Sequence, residues 1–200
     1  MTQAPPSIAA CLQLIEEYTM LPNIRVHSFM VARVAEAIYT RISEHTPSAQ
    51  LPQKELVIAG ALLHDIAKTR CLEHHCDHAR VGADICRHHG YPDVAEIVNE
   101  HVYLKEYATE RYKNGKFLAK EIIFYADKRV NHDQIVDLSM RLQYILERYG
   151  NNDELRHQLI RENFRNCQEL EIYLCKSAGS SAESLLENIN TDPFINHNQL

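Results

Sequence analysis

Apolar residues in this chain recur at intervals of three and four almost from end to end, and no segment sustains the two-residue alternation of a half-buried strand. Glycine is scarce, at six residues, so few breaks interrupt that rhythm. An all-α fold is therefore expected, and 200 residues suffice for one domain with a sizeable core. The spacing predicts helices over 7–20, from Pro22-Asn23 to about residue 44, over 53–67, from His78 to Gly90, from Pro92 through His101, over about 117–130, and two more spanning Leu138–Tyr149 and Leu155–Leu174. Asn23 and Asp77 read as N-caps and Gly90 as a C-terminal stop. Pro47–Pro52, the polar stretch Thr69–Asp77 and the Tyr-rich stretch 103–116, with its Asn114-Gly115 turn, read as loops. Asn131-His132-Asp133 breaks the chain between helices. From Ser177 the composition turns to Ser, Ala, Gly, Asn and Gln, so 177–200 is expected as a weakly ordered tail with a short helix at 181–189.

Composition narrows the function. A net charge of −6 with no basic block argues against a nucleic-acid partner. No apolar run approaches the roughly 18 residues that span a bilayer, and the start has neither a charged n-region nor an apolar h-region. A cytoplasmic protein with no membrane partner is expected. The six cysteines do not suggest a disulfide framework in a chain this rich in core residues. Histidine is the outlier: of twelve, seven fall between His64 and His101.

The sharpest local signal is Ala59–Lys68, where an uncharged run ends abruptly in adjacent His64 and Asp65. A buried imidazole beside a buried carboxylate is costly unless something compensates both, and a divalent cation does so, since both groups are good ligands. At 100° per residue, His27 falls within the stripe of Ile24, Val31, Val34 and Ile38, His78 shares a side with Val81, Gly82 and Ile85, and His101 lies on the stripe of Val94, Ile97 and Val98. Asp127 sits among Ile123, Phe124 and Val130. One such histidine is usually a satisfied core residue. Six histidines and carboxylates on successive helices, with no Lys or Arg on the same stripes, point instead to a metal site projected into a helical bundle.

These residues fall in motifs: His27-Ser-Phe-Met-Val-Ala-Arg-Val-Ala, Leu62-Leu63-His64-Asp65-Ile66-Ala67-Lys68, Asp77-His78-Ala-Arg-Val-Gly-Ala, Ile97-Val-Asn-Glu-His101 and Tyr125-Ala-Asp127-Lys128. Their order resembles the HD superfamily of metal-dependent phosphohydrolases, in its HDIG-like small single-domain branch. The resemblance covers about residues 23–130. It implies an HD-domain helical bundle over 1–176, with additional C-terminal helices at 133–176 packing on the motif core. It further implies His27, His64, Asp65 and Asp127 as ligands of a first ion, and Asp65 as a bridge to a second held by His78 and His101. Lys68 would contact the substrate phosphate and act with Asp65 in catalysis, and Lys128 would bind substrate. Alternatively, Lys68 complements the dipole at the end of its helix, and Lys128 is a solvated neighbour of Asp127.

The activity implied is hydrolysis of a nucleotide or other small phosphate ester by metal-activated water, with one or two ions drawn from Mn, Fe, Mg, Co, Ni or Zn. His101 is followed by Val102 where many two-metal members carry a second histidine, so a single ion on His27, His64, Asp65 and Asp127 stays open. His89 is a reserve ligand. His88-His89 runs straight into Gly90-Tyr91-Pro92, without the longer glycine-rich loop of the branch that cleaves cyclic dinucleotides. Two further readings stand beside this one. The first is a non-catalytic HD-type module that senses a nucleotide or organises a partner, with the helices after 133 as an interaction or homodimer surface. The second is a di-iron oxygenase of related architecture. Cys71, His74, His75 and Cys76 have spacings that zinc accepts, but no second ligand pair follows at a finger-like distance. They read better as a loop over the mouth of the site, its thiols free.

Overall fold

The computed structural model describes residues 4–47 and 50–190. Its helices are α1 (Ile8–Glu17), α2 (Pro22–Ser43), α3 (Lys54–Leu63), α4 (Lys68–His74), α5 (His78–His88), α6 (Pro92–Glu100), α7 (Thr109–Lys113), α8 (Ala119–Lys128), α9 (Leu138–Tyr149), α10 (Glu154–Ala178) and α11 (Ala182–Leu185). The all-α expectation holds. Among the described residues the strands are β1 (Val130–Asn131) and β2 (Gln134–Ile135), an antiparallel pair that pairs Val130 with Ile135. They occupy the break expected at Asn131–Asp133, and the left-handed backbone of His132 (φ 57°) makes their turn.

The centre is α3, whose seven residues from Val57 to Leu63 are all buried. Such a helix must be covered on all sides, and α2, α6 and α8 do so. Gly60 permits this crowding. A Cβ there would lie 2.7 Å from Ile123 Cδ1 and 2.8 Å from Ile97 Cδ1, so the side chains of α6 and α8 press directly on the backbone of α3.

Several local expectations are corrected. Helix α2 starts at Pro22 with Leu21 at the cap, because proline fixes the first helical φ and needs no hydrogen bond there; Asn23 is already inside. Helix α3 stops at Leu63, and His64–Ala67 forms turns instead of a further helical stretch. The polar stretch after it folds as α4, with Cys71 buried on its inner side. Asp77 does cap α5, accepting from the Ala79 and Arg80 amides, and Gly90 follows that helix at φ 80°. The 103–116 loop contains the single turn α7 before Gly115 (φ 67°). Of the loop at Pro47–Pro52, residues 48–49 lie outside the described residues. The region expected as a tail carries α11, with Leu185 and Leu186 buried, while 191–200 lie outside the described residues.

Helices α9 and α10 complete the bundle. Tyr125 on α8 donates to Glu171 Oε2 of α10 at 2.7 Å, and Arg129 Nη1 joins the same oxygen at 3.0 Å. Helix α8 is fixed at its start by fully buried Glu121, which accepts from the Arg111 guanidinium at 2.7 Å, the Tyr112 hydroxyl at 2.9 Å and the Leu118 amide at 2.7 Å. Removing one partner of a buried, hydrogen-bonded ion pair strands the rest, at a cost of about 3–5 kcal/mol. Glu121→Ala is expected to lose stability of that order in denaturant unfolding; a change within about 0.5 kcal/mol would deny the network this role.

Candidate metal centre

Two histidines reach the site by the same device. His64 and His101 are the C-caps of α3 and α6, where the last carbonyls lack helical partners. Each ring turns back on its own helix, with Nδ1 2.7 Å from the carbonyl three residues earlier, Ala61 for His64 and Val98 for His101. A carbonyl only accepts, so Nδ1 carries the proton and Nε2 is left with its lone pair aimed away from the helix. His27, inside α2, is fixed likewise, with Nδ1 3.1 Å from the carbonyl of His132 in the β1–β2 turn. These are the carbonyl contacts that orient metal-binding imidazoles.

The freed Nε2 atoms converge on two carboxylates. His27 Nε2 lies 3.0 Å from Asp127 Oδ1, and His64 Nε2 lies 3.8 Å from that oxygen and 3.4 Å from Asp65 Oδ2. On the other side of Asp65, Oδ1 lies 3.3 Å from His78 Nε2 and 3.6 Å from His101 Nε2, and those two nitrogens are 3.2 Å apart. The structure thus brings together all six residues expected as ligands. They form two groups, with a different oxygen of Asp65 facing each. Ligand atoms of His27, His64 and Asp65 lie within 4.8 Å of one another, and so do those of Asp65, His78 and His101. His89 is elsewhere, its Nε2 2.9 Å from the Tyr18 hydroxyl.

This donor set fits a cation. His64 Nε2 and Asp65 Oδ1 are buried with no hydrogen-bond partner. Acceptors packed together without protons repel one another, and a positive ion among them satisfies both groups. Burial outweighs the neighbouring carboxylates at His27 and His101, lowering both pKa values, that of His101 to about 4. At His64 burial also opposes the imidazolium, but Asp65 and Asp127 outweigh it and raise the pKa. Against the effect of burial, Lys68 and His64 hold Asp65 well below the usual carboxylate range, and His27 and Arg141 do the same for Asp127.

Lys68 opens α4 and does not end α3, so the helix-dipole alternative does not apply. Its Nζ sits 2.7 Å from Asp65 Oδ2. Lys128 is buried and not solvated: its Nζ is 3.3 Å from the Val102 carbonyl and 3.6 Å from the centre of the Phe124 ring. Burial pushes its pKa down. Both lysines line a cavity of about 690 Å³ that opens from the ligand cluster. Cys71 and Cys76 line it too, as expected of a loop at the mouth. They are joined in a disulfide, however, which corrects the reading of free thiols and leaves no thiolates for a separate zinc site. Arg141, on α9, was not anticipated: it is 7% exposed, with Nη2 3.8 Å from Asp127 Oδ1. It lies beyond every motif, and its apolar neighbours Leu138 and Leu142 gave no hint of a charge turned inward.

The HD domain family model matches residues 24–132. The chain is also similar to curated relatives, two of which are described as tRNA (cytidine(56)-2'-O)-methyltransferase. The one from Thermoplasma volcanium is 31% identical over 147 residues, 66% of this chain and 40% of the relative. The one from Picrophilus torridus is 28% identical over 136 residues, 62% of this chain and 37% of the relative. The chain therefore spans about two fifths of the length of these relatives. No solved structure matches. Among the described residues, no helix is long and apolar enough to cross a membrane.

Because burial holds His101 neutral in the folded metal-free protein, its unfolded form takes up a proton first as pH falls from about 6.5 towards about 4. The His101 contribution to stability is therefore present above that window and lost within it. In the metal-free protein the His101 ring signals should stay those of a neutral imidazole in NMR titration down to about pH 4; an ordinary transition near 6.5 would contradict the packing described.

Proposed function

Since the chain belongs to the HD domain family, we propose that it is a metal-dependent phosphohydrolase acting on a small phosphate ester, nucleotides included. The observation that carries this reading is the division of labour at Asp65, whose two oxygens serve two separate histidine groups. His27, His64, Asp65 and Asp127 would hold one divalent ion, and Asp65, His78 and His101 a second. When bound, such ions activate water and neutralise phosphoryl oxygens in an in-line displacement. The remaining work falls to this chain's own side chains. Lys68, beside Asp65 at the wall of the cavity, would offer its ammonium to a phosphoryl oxygen once the ions neutralise that carboxylate. Lys128 and Arg141 add positive charge around the same end of the cavity, where exclusion of water strengthens each contact with the ester. The carbonyl-bound Nδ1 protons of His27, His64 and His101 keep the three rings from turning and so preorganise the cluster.

A second reading is favoured by the two relatives: an HD module that accompanies a tRNA-modifying activity. Binding of this chain to a tRNA methyltransferase, with a change in its methylation rate, would support it. The net charge of −6 and a shared length of only two fifths weigh for the hydrolase.

Elemental analysis of the purified protein is expected to find up to two divalent ions per chain, with hydrolysis of phosphate esters under Mn²⁺, Co²⁺, Fe²⁺ or Mg²⁺. His64→Ala combined with Asp65→Ala should remove both metal and turnover. His78→Ala should cost one ion and at least about tenfold in metal affinity at the second position. Full metal content in the double variant, or no hydrolysis of any mono-, di- or polyphosphate ester by the metal-loaded protein, would sink the proposal.

A further inference from the structure

The cavity at the metal centre is walled as much by helices beyond the family match as by those within it. About 690 Å³ holds a small organic molecule and not merely a phosphate. Helices α9 and α10 line it with rows of residues that grade from buried to exposed. On α9 the row Arg141, Ile145, Tyr149 passes from 7% to 45% exposed. On α10, Phe164 and Ile160 are buried, while Leu159 and Leu155, nearer the start of the helix, are 51% and 67% exposed. Nine large hydrophobic side chains are exposed among the described residues. Five of them, Leu72, Tyr103, Tyr149, Leu155 and Leu159, line this one cavity. Scattered apolar side chains need no explanation, but a set gathered around a pocket marks a ligand surface.

The deep end is cationic. Arg141 donates from Nη1 to Asn131 Oδ1 at 2.8 Å, yet its buried Nε has no hydrogen-bond partner. A buried guanidinium N–H without an acceptor is held for a ligand oxygen or carries an uncompensated cost. Several of the polar groups further out are already engaged. Asn163 donates to the Val102 carbonyl at 3.0 Å and accepts from the Tyr107 hydroxyl at 3.3 Å. Asp153 accepts from the Arg156 amide at 3.0 Å, and the Arg156 guanidinium donates to the Tyr149 carbonyl at 3.3 Å. The groups left to meet a polar edge, such as the Tyr103 and Tyr149 hydroxyls, sit on side chains that are themselves half exposed, so the outer wall offers mainly apolar area.

We infer that the cavity selects phosphate monoesters of apolar alcohols, aryl or alkyl, with Arg141 Nε–H on a phosphoryl oxygen and Leu72, Ile145, Leu155 and Leu159 around the apolar group. The inference rests on the phosphohydrolase reading above and narrows its substrate class. In the reaction, the oxygen of water bonds to phosphorus and the phosphorus–oxygen bond to the alcohol breaks. The alcohol leaves with one proton of that water, and inorganic phosphate remains, with no change of oxidation state.

The test uses the whole chain loaded with Mn²⁺ and two phosphonates that carry no hydrolysable ester. Phenylphosphonate is expected to bind at least about tenfold more tightly than methylphosphonate in calorimetry, since the ring buries more apolar area. Leu155→Asp with Leu159→Asp, both at exposed positions, should bring that ratio below about threefold. Ile172→Asp, exposed but away from the cavity, should leave it unchanged. Arg141→Gln should weaken both ligands by about tenfold or more, and Arg141→Lys should restore only part of the loss, because an ammonium lacks the planar fork. Thermal melting of each variant separates a binding defect from unfolding. Equal affinity for the two phosphonates would overturn the inference, as would a higher kcat/KM for adenosine 5′-monophosphate than for 1-naphthyl phosphate. Either result leaves the phosphohydrolase reading standing. Metal-loaded protein that hydrolyses no ester at all removes that reading, and this inference with it.

Discussion

The rest of this structure depends on one buried carboxylate, that of Asp65. A charged group 1% exposed just past the end of the central helix α3 is tolerable only if its surroundings supply positive charge from more than one direction. Lys68 supplies one such contact, and the imidazoles of His27, His64, His78 and His101 gather around the remaining directions, placed to share a cation with it. That gathering dictates architecture. Helices α3 and α6 must end at the same point for His64 and His101 to cap them. Helix α2 must pass alongside with His27, and α8, packed on α2, must bring Asp127 against that ring. The tight packing at Gly60, where α6 and α8 press on α3, brings these ends within reach of one another.

The same economy governs the second layer. Helix ends leave carbonyls without partners, and histidine at a C-cap satisfies one of them with Nδ1 while turning Nε2 outward. One hydrogen bond thus finishes a helix and fixes a tautomer. His27, in mid-helix, has no such carbonyl at hand, and the chain provides one through the turn of the small β-hairpin, where His132 takes the left-handed conformation. The hairpin is minor as secondary structure but essential to the orientation of one ring.

This explains what the sequence could and could not reveal. Amphipathic periodicity is a local property, so the helices from α1 to α10 were legible apart from their ends and the short α4 and α7. His27, His78, His101 and Asp127 were legible because a polar side chain on an apolar stripe stands out against its neighbours. The disulfide between Cys71 and Cys76 was not, since composition suits free thiols and only the turn from α4 into α5 brings the two together. Lys128 reads as a surface charge until Phe124 and the Val102 carbonyl enclose it. Arg141 was hidden for a related reason: its role comes from α9 packing on α10, which brings its guanidinium to Asp127 and Asn131 with no periodic trace.

The boundary of the family match gives these hidden residues their meaning. The match ends at residue 132, and within it lie all six clustered histidines and carboxylates together with both lysines. Arg141, Leu155 and Leu159 lie outside it, yet they line the same cavity. A ligand cluster shared across a family fixes a type of chemistry, while the side chains that meet the rest of a substrate come from whatever covers the mouth. Here that cover is α10, held to the core through Tyr125, Arg129 and Glu171, and α9, packed on α10. A rigid attachment of this kind suits a wall that discriminates by shape and apolar area, because such discrimination fails once the wall can yield to the wrong ligand.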